Sequence, residues 1–150
     1  MADVRRAELA DTTRIVKQIE RFNDEYYDVP INVAKVIDMV TWVIDDGVIF
    51  VSARGFIGGM VVDDLMRDWT VLQEFGWYAE DRSGIALLDA FIQAGRDLNV
   101  DEVRVSTLST SSPSTDRLLH RKGFAPSETS HRLMGASQWP QSPQSSPSQP

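Results

Sequence analysis

The sequence has no cysteine, which excludes disulfide bonds, thiolate metal ligands and cysteine nucleophiles together. It has only two histidines, His120 and His131, so a zinc site would have to be built largely from carboxylates, and we expect no metal. Clusters of basic residues are also missing. With 15 Lys and Arg against 22 Asp and Glu, the net charge of -7 would repel a phosphate backbone, so we expect no nucleic-acid partner.

Long hydrophobic runs are missing as well. No apolar stretch approaches the roughly 18 residues of a membrane span, and the beginning, MADVRRAELADTT, lacks the apolar core of a signal peptide. We therefore expect a cytoplasmic protein without a membrane partner. The 150 residues, of which 42% are hydrophobic, suffice for one domain with a core, expected over residues 1–136. Residues 137–150 contain only Ser, Gln, Pro and Trp139 and are predicted to form a disordered tail.

Apolar spacing and turn residues predict a chain in which strands and helices alternate. The predicted strands are 4–9, 48–53, 56–62, 70–79, 102–108 and 128–134. The predicted helices begin at or after Asp11, Asn32, Ser83 and Pro113. The order β-α-α-β-β-β-α-β-α-β predicts a mixed, mostly antiparallel central sheet flanked by helices.

The segment WYAEDRSGIALL, residues 77–88, predicts a strand that turns directly into a helix. Backbone N–H groups at a helix start, together with the helix dipole, favour an anion, and Gly84 has no Cβ to keep a ligand away. A glycine at such a junction more commonly only makes the turn. The stretch alone therefore favours a plain turn over an anion site.

The element order and two further segments resemble the GNAT superfamily of N-acetyltransferases over roughly residues 4–135. The turn residues Gly84, Ile85 and Ala86 match the end of the family's pyrophosphate motif, whereas Asp81 stands where the family has Arg or Gln. The segment SPSTDRLLHRKGF, residues 112–124, is similar to a second family segment. QEFGWYAED, residues 73–81, is similar to a strand of acetyltransferases common in phage and prophage genomes.

The resemblance implies acetyl-CoA as co-substrate and a set of residues that bind it. On the strand, the amides around Trp77, Tyr78 and Ala79 would polarise the thioester carbonyl and bind the pantetheine arm. The other implied cofactor residues are Arg82, Ser83, Gly84, Ile85, Ala86 and Ser112. At the position of the family's general-acid tyrosine this chain has Leu119, which cannot donate a proton.

Glu74 is the candidate base, because without a β-bulge strict alternation would place it on the same strand face as Gly76 and Tyr78. An ordinary solvated glutamate is the alternative. Tyr78 would orient the acceptor or donate a proton, unless it only packs.

The acceptor side would be rimmed by Tyr26, Tyr27 and Asp28, and the acidic surplus suits a cationic amine. The alternative for these three residues is a solvated loop anchored by one packed tyrosine. We therefore expect acetyl transfer to an amine, on a small molecule or a protein, by direct attack on the thioester. The sequence leaves open whether the protein forms a homodimer. The alternative is a degenerate member that binds CoA or a host factor without efficient catalysis, which Asp81 and Leu119 favour.

Overall fold

The computed structural model describes residues 3–133, and the chain divides into two compact units, Met1–Leu108 and Ser109–Pro150. The elements of the first unit are β1 (Arg5–Arg6), α1 (Thr12–Tyr26), α2 (Val33–Asp46), β2 (Val48–Val51), β3 (Gly55–Asp63), β4 (Thr70–Ala79), α3 (Gly84–Asp97) and β5 (Glu102–Arg104). A 3-10 turn, Leu9–Asp11, precedes α1. In the second unit, the described residues contain one helix, α4 (Pro113–Arg121).

The five strands form one sheet in the order β1-β2-β3-β4-β5. Neighbouring strands are antiparallel except for β4 and β5, which are parallel. The predicted fold class, a mixed and mostly antiparallel sheet flanked by helices, is confirmed. None of the helices within residues 3–133 is long and apolar enough to cross a membrane.

Helices cover the two faces of the sheet. On one face, Ile15 of α1 and Val40 of α2 belong to a buried cluster with Phe56 of β3. On the other face lies α3, since a Cβ at Gly59 would come within 2.7 Å of the Phe91 ring. Phe56 and Gly59 are separated by an odd number of positions on β3 and so point to opposite faces, as strand alternation requires.

The starts of α1 and α2 show why these residues form helices. The second helix begins directly after Asn32 as predicted, and Asn32 caps it, because its Oδ1 accepts the N–H of Lys35 at 3.0 Å. Asp11 acts differently from a simple cap. Its carboxylate accepts the N–H of Glu8 and two N–H groups of Arg5, at 2.8 to 2.9 Å, and so joins β1 to the turn before α1.

A β-bulge interrupts β4. Gly58 pairs with Gly76, whereas the next residue, Gly59, pairs with Glu74, which leaves Phe75 as the extra residue. The alternation of side chains therefore shifts by one position. Glu74 lies on the α3 face, and Tyr78 packs with the α1–α2 cluster on the opposite face. The shared face predicted for Glu74, Gly76 and Tyr78 is wrong for this reason.

Four predicted strands are shorter or absent. The second ends at Val51 instead of residue 53. The first is limited to Arg5–Arg6, and the fifth to Glu102–Arg104, where its pairing with β4 ends. Residues 128–133 form no strand, because their backbone pairs with no sheet neighbour and every one of them is exposed. Met134 and the tail predicted over 137–150 lie outside the described residues.

Candidate active site

Strands β4 and β5 diverge and leave one edge of β4 open. Their last pair is Gln73 with Arg104, yet β4 continues along β3 as far as Ala79. Within residues 3–133, Trp77–Ala79 have no strand partner on the β5 side. Backbone groups on an open strand edge are free to pair with an extended ligand. The three residues predicted to bind the pantetheine arm lie on this open edge.

Glu74 lies at the fork between the two strands. Its side chain bridges the gap, since Oε2 accepts the N–H of Ser106 at 3.1 Å. The residue is only 8% exposed. Burial raises the pKa of Glu74 to about 7, because the single hydrogen bond from Ser106 offsets the loss of water only in part. A carboxyl group with this pKa can both take up and release a proton near neutral pH.

The Asp81 side chain is hydrogen-bonded to the first backbone N–H group of the predicted phosphate turn, that of Ser83. Its Oδ1 accepts the Ser83 N–H at 2.9 Å and also the Ser83 hydroxyl. The Ser83 hydroxyl oxygen lies 2.7 Å from that of Ser52, and both serines are buried. The hydrogen bond from the Ser83 hydroxyl lowers the pKa of Asp81 most, and the one from the Ser83 N–H lowers it further. This carboxylate is therefore ionised at neutral pH. Ser83 therefore uses its donors within the protein.

Gly84 leaves space at the start of α3. A Cβ there would meet the Cβ of Ala79 and Nε1 of Trp77 at 3.6 Å, which is ordinary contact distance. Packing within the chain therefore does not require a glycine. The first hydrogen bond of the helix runs from the Leu87 N–H to the carbonyl oxygen of Ser83. The N–H groups of 84–86 lie before it and therefore have no acceptor within the helix. This start of the helix fits phosphate oxygens, although the Asp81 charge opposes them.

Trp77 is fixed beside the same helix start. Its indole N–H donates to the carbonyl oxygen of Gly84 at 3.1 Å. Arg82 and Ile85, two further predicted cofactor residues, have exposed side chains there, and Ala86 is half-buried. The strand end and the helix start predicted to hold one ligand are therefore adjacent.

An aromatic cluster joins α1 to β4 on the opposite face. The Phe22 ring centroid lies 4.9 Å from that of Tyr26, 6.3 Å from that of Tyr27 and 6.1 Å from that of Tyr78. Burial, followed by the carboxylates of Glu80 and Glu25, raises the pKa of the Tyr78 hydroxyl. Through Phe22, the structure thus groups Tyr26 and Tyr27, predicted on the acceptor side, with the catalytic candidate Tyr78. Asp28 follows as an exposed residue outside the ring contacts.

Arg54, in the turn between β2 and β3, is a charged neighbour of this site. Its Nη2 lies 3.0 Å from Oε2 of Glu80, which also pairs with Arg21. The Arg54 charge also lowers the pKa of Asp81, although less than the hydrogen bonds from Ser83 do. It therefore adds positive potential beside the start of α3. No local pattern indicates this, because the partners of Arg54 lie far along the sequence.

Ser112 belongs to the second unit. There it caps α4, with its Oγ accepting the Ser114 N–H at 3.3 Å. Leu119 lies in the same helix, and its carbonyl oxygen accepts the N–H of Phe124 at 3.0 Å. In the part of the chain that the structure describes, no three His, Asp or Glu side chains converge to hold a metal ion.

Solved acetyltransferases share this fold. A Clostridium acetobutylicum protein, described as a predicted acetyltransferase and solved with acetyl-CoA, is 14% identical, with a TM-score of 0.71 over 89% of this chain and 96% of its own. For a Trypanosoma brucei acetyltransferase the identity is 16% and the TM-score 0.66, over 89% and 99%. A Bacillus halodurans transcriptional regulator is 14% identical, with a TM-score of 0.71 over 90% and 100%.

The likeness extends over most of each chain at low sequence identity. No family model and no curated protein matches the sequence. The chain therefore has the GNAT-like acetyltransferase fold that its sequence predicts, and the structural likeness defines the fold alone.

Proposed function

We propose that the protein transfers an acetyl group from acetyl-CoA to a primary amine. The observation that carries the proposal is the open edge of β4 between a buried glutamate and a helix start where Gly84 leaves space. Glu74 stands where β4 and β5 separate, and Gly84 begins the helix that follows β4. This combination offers a strand edge for an extended ligand, amides for its phosphates and a proton acceptor.

The binding roles follow from the backbone. The amides of Trp77–Ala79 would bind the pantetheine arm and polarise the acyl carbonyl, as donors fixed in advance do in acyl transfer. The N–H groups of 84–86 and the Arg82 guanidinium would hold the phosphates, with Arg54 adding positive potential. Ser112 is the further binding residue that the family resemblance suggests. Acetyl-CoA supplies a thioester carbon open to attack by a neutral amine.

The residues proposed to accept the proton and to position the acceptor lie on opposite faces of β4. Glu74 would accept the proton that the amine loses, directly or through water, because its pKa of about 7 leaves much of it ionised near neutral pH. Tyr78 would position the acceptor from the other face, together with Tyr26 and Tyr27. Asp28 would contribute negative charge beside these tyrosines.

Calorimetry with acetyl-CoA, followed by an assay of thiol release, tests the proposal. Wild-type protein should bind acetyl-CoA and release thiol with amines. Gly84→Glu should lose binding, since its side chain brings negative charge to the phosphate position, whereas Gly84→Ala should lose less. Equal melting temperatures would show that both variants are folded. Absence of binding at millimolar acetyl-CoA would refute the proposal.

A second function, CoA binding without efficient turnover, is favoured by Asp81 and Leu119. Asp81 places a carboxylate on the Ser83 amide at the phosphate turn, and leucine replaces the proton donor expected from the family. This function predicts calorimetric binding without thiol release for any amine. Capture of a host factor from lysate by wild-type protein would extend this alternative.

A further inference from the structure

We infer that the preferred acceptor carries a second ammonium group, which binds the aromatic cluster of Phe22, Tyr26, Tyr27 and Tyr78 beside the Glu25 carboxylate. The inference rests on the proposed acetyl transfer and specifies its substrate class: a short diamine or polyamine. Three features of the structure support it.

The first feature is the link between the cluster and the open strand edge. Tyr78 belongs to both, because its backbone lies on the open part of β4 and its ring packs edge-on against Phe22. An acceptor whose reacting nitrogen lies at the strand edge would therefore extend its chain along these rings.

The second feature is the exposure of the rings. Tyr26 is 40% exposed and Tyr27 is 39% exposed, although both contact Phe22. Exposed aromatic faces attract alkylammonium groups through the negative potential above the ring. Several rings at one place supply such faces on more than one side of a cation.

The third feature is a carboxylate beside the rings, that of Glu25, which belongs to no ion pair of the described residues. Burial, followed by the Glu25 carboxylate, raises the pKa of the Tyr26 hydroxyl, and Glu25 also acts on Tyr78. Glu80, the other carboxylate acting on Tyr78, is neutralised by Arg21 and Arg54. Glu25 therefore remains the carboxylate available to a cation here.

The chemistry of the transfer distinguishes two nitrogens in the acceptor. The attacking nitrogen must lose its proton to form the new C–N bond, and the thiolate leaves with the electrons of the broken C–S bond. A cation-binding cluster gives this nitrogen no advantage in its neutral form. A second, permanently protonated nitrogen gains from the rings and from Glu25 throughout the reaction.

Putrescine and n-butylamine, which have the same carbon chain, provide the test. Wild-type protein should acetylate putrescine with a kcat/KM about tenfold higher, as expected for a cation–π contact combined with one partly exposed ion pair. Glu25→Gln should remove most of this preference. Glu20→Gln, which makes the same charge change on the same helix, should retain it. Tyr26→Leu should reduce the preference as Glu25→Gln does.

Equal kcat/KM for the two amines, or a preference unchanged in Glu25→Gln, would overturn the inference while acetyl transfer stands. Calorimetric titration of putrescine and n-butylamine into the CoA-bound protein separates the two proposals further. Tighter binding of putrescine supports the inference even if turnover is absent. In that case the proposed acetyl transfer is refuted, and the proposed binding of a second ammonium group is not. Equal binding of the two amines overturns the inference.

Discussion

Glu74 is a residue whose ionisation should be visible in the stability of the protein. Its pKa is raised from 4.5 to about 7 in the fold, so between these values the unfolded chain loses a proton that the folded chain keeps. Stability therefore falls as pH rises through this window, by about 3 kcal/mol in total. Glu74→Gln should remove most of this loss, since its amide oxygen can still accept the Ser106 N–H.

Denaturant unfolding at about pH 5 and about pH 8 measures this effect. The variant should gain stability over wild type at the higher pH and little at the lower one, while thiol release falls strongly. Glu8→Gln, which changes an exposed carboxylate, is the control. If the stability of wild type and Glu74→Gln depended on pH in the same way, folding would not raise the pKa of Glu74.

Gln18 has a buried acceptor without a donor. The residue is 5% exposed, and its Oε1 has no hydrogen-bond partner among the described residues. An unsatisfied buried polar atom costs about 1 to 3 kcal/mol, and an apolar side chain of similar shape avoids this cost. Gln18→Met should therefore raise the free energy of unfolding by about 1 kcal/mol. Destabilisation by this substitution would indicate that the amide is hydrogen-bonded in solution.

Asp81 sets the electrostatics of the helix start where CoA phosphates are proposed to bind. Asp81→Asn keeps a side-chain oxygen for the Ser83 N–H but removes the negative charge, so acetyl-CoA should bind several-fold more tightly. Calorimetry at constant ionic strength measures the change, and Asp89→Asn, on the helix that follows Asp81, controls for net charge. Weaker binding by Asp81→Asn would mean that Asp81 organises the site rather than opposing the ligand.

At the scale of elements, the bulge in β4 depends on close packing between β3, β4 and α3. A Cβ at Gly59 would lie 2.4 Å from the carbonyl oxygen of Gln73 and 2.7 Å from the Phe91 ring. The backbone oxygen cannot move without disturbing the strand pairing next to the bulge. Gly59→Ala should therefore destabilise the protein by about 2 kcal/mol or more, measured by denaturant unfolding.

Gly84→Ala is the matched control. The added Cβ meets only ordinary contacts, and alanine lowers the entropy of the unfolded chain, so stability should stay the same or rise slightly. Equal costs at Gly59 and Gly84 would contradict the packing described for the bulge.

The sequence predicts the elements well where local signals are strong. The start of α2 after Asn32, the hairpin of β2 and β3 and the strand-to-helix turn at Gly84 all depend on neighbouring residues, and the structure confirms them. The bulge at Phe75 could not be located, because it depends on register with β3. Residues 128–134 are expected to form a strand, yet residues 128–133 have no strand partner.

The same distinction applies to the site. The resemblance assigned the amides of Trp77–Ala79 and the start of α3 to one ligand, and in the structure these two segments are adjacent. The contacts of Glu74 with Ser106, Ser83 with Ser52 and Glu80 with Arg54 join residues far apart in sequence, so no local pattern reveals them.

At the scale of the whole molecule, the net charge of -7 acts differently on the two proposed ligands. It attracts a cationic amine over long range and repels an anionic cofactor, which leaves cofactor binding dependent on local groups such as Arg54 and Arg82. Long-range attraction of this kind weakens as the screening length falls from about 30 Å at 0.01 M to about 8 Å at 0.15 M salt.

The salt dependence of turnover should therefore differ between the two acceptors. The kcat/KM for putrescine should fall several-fold between about 0.01 M and 0.15 M salt, whereas that for n-butylamine, with half the charge, should fall less. The affinity for acetyl-CoA should stay constant or rise over the same range, because screening reduces its repulsion from the acidic protein. A putrescine kcat/KM independent of salt would show that net charge does not steer the acceptor. Thiol release at saturating acetyl-CoA, with sodium chloride as the only variable, makes the measurement.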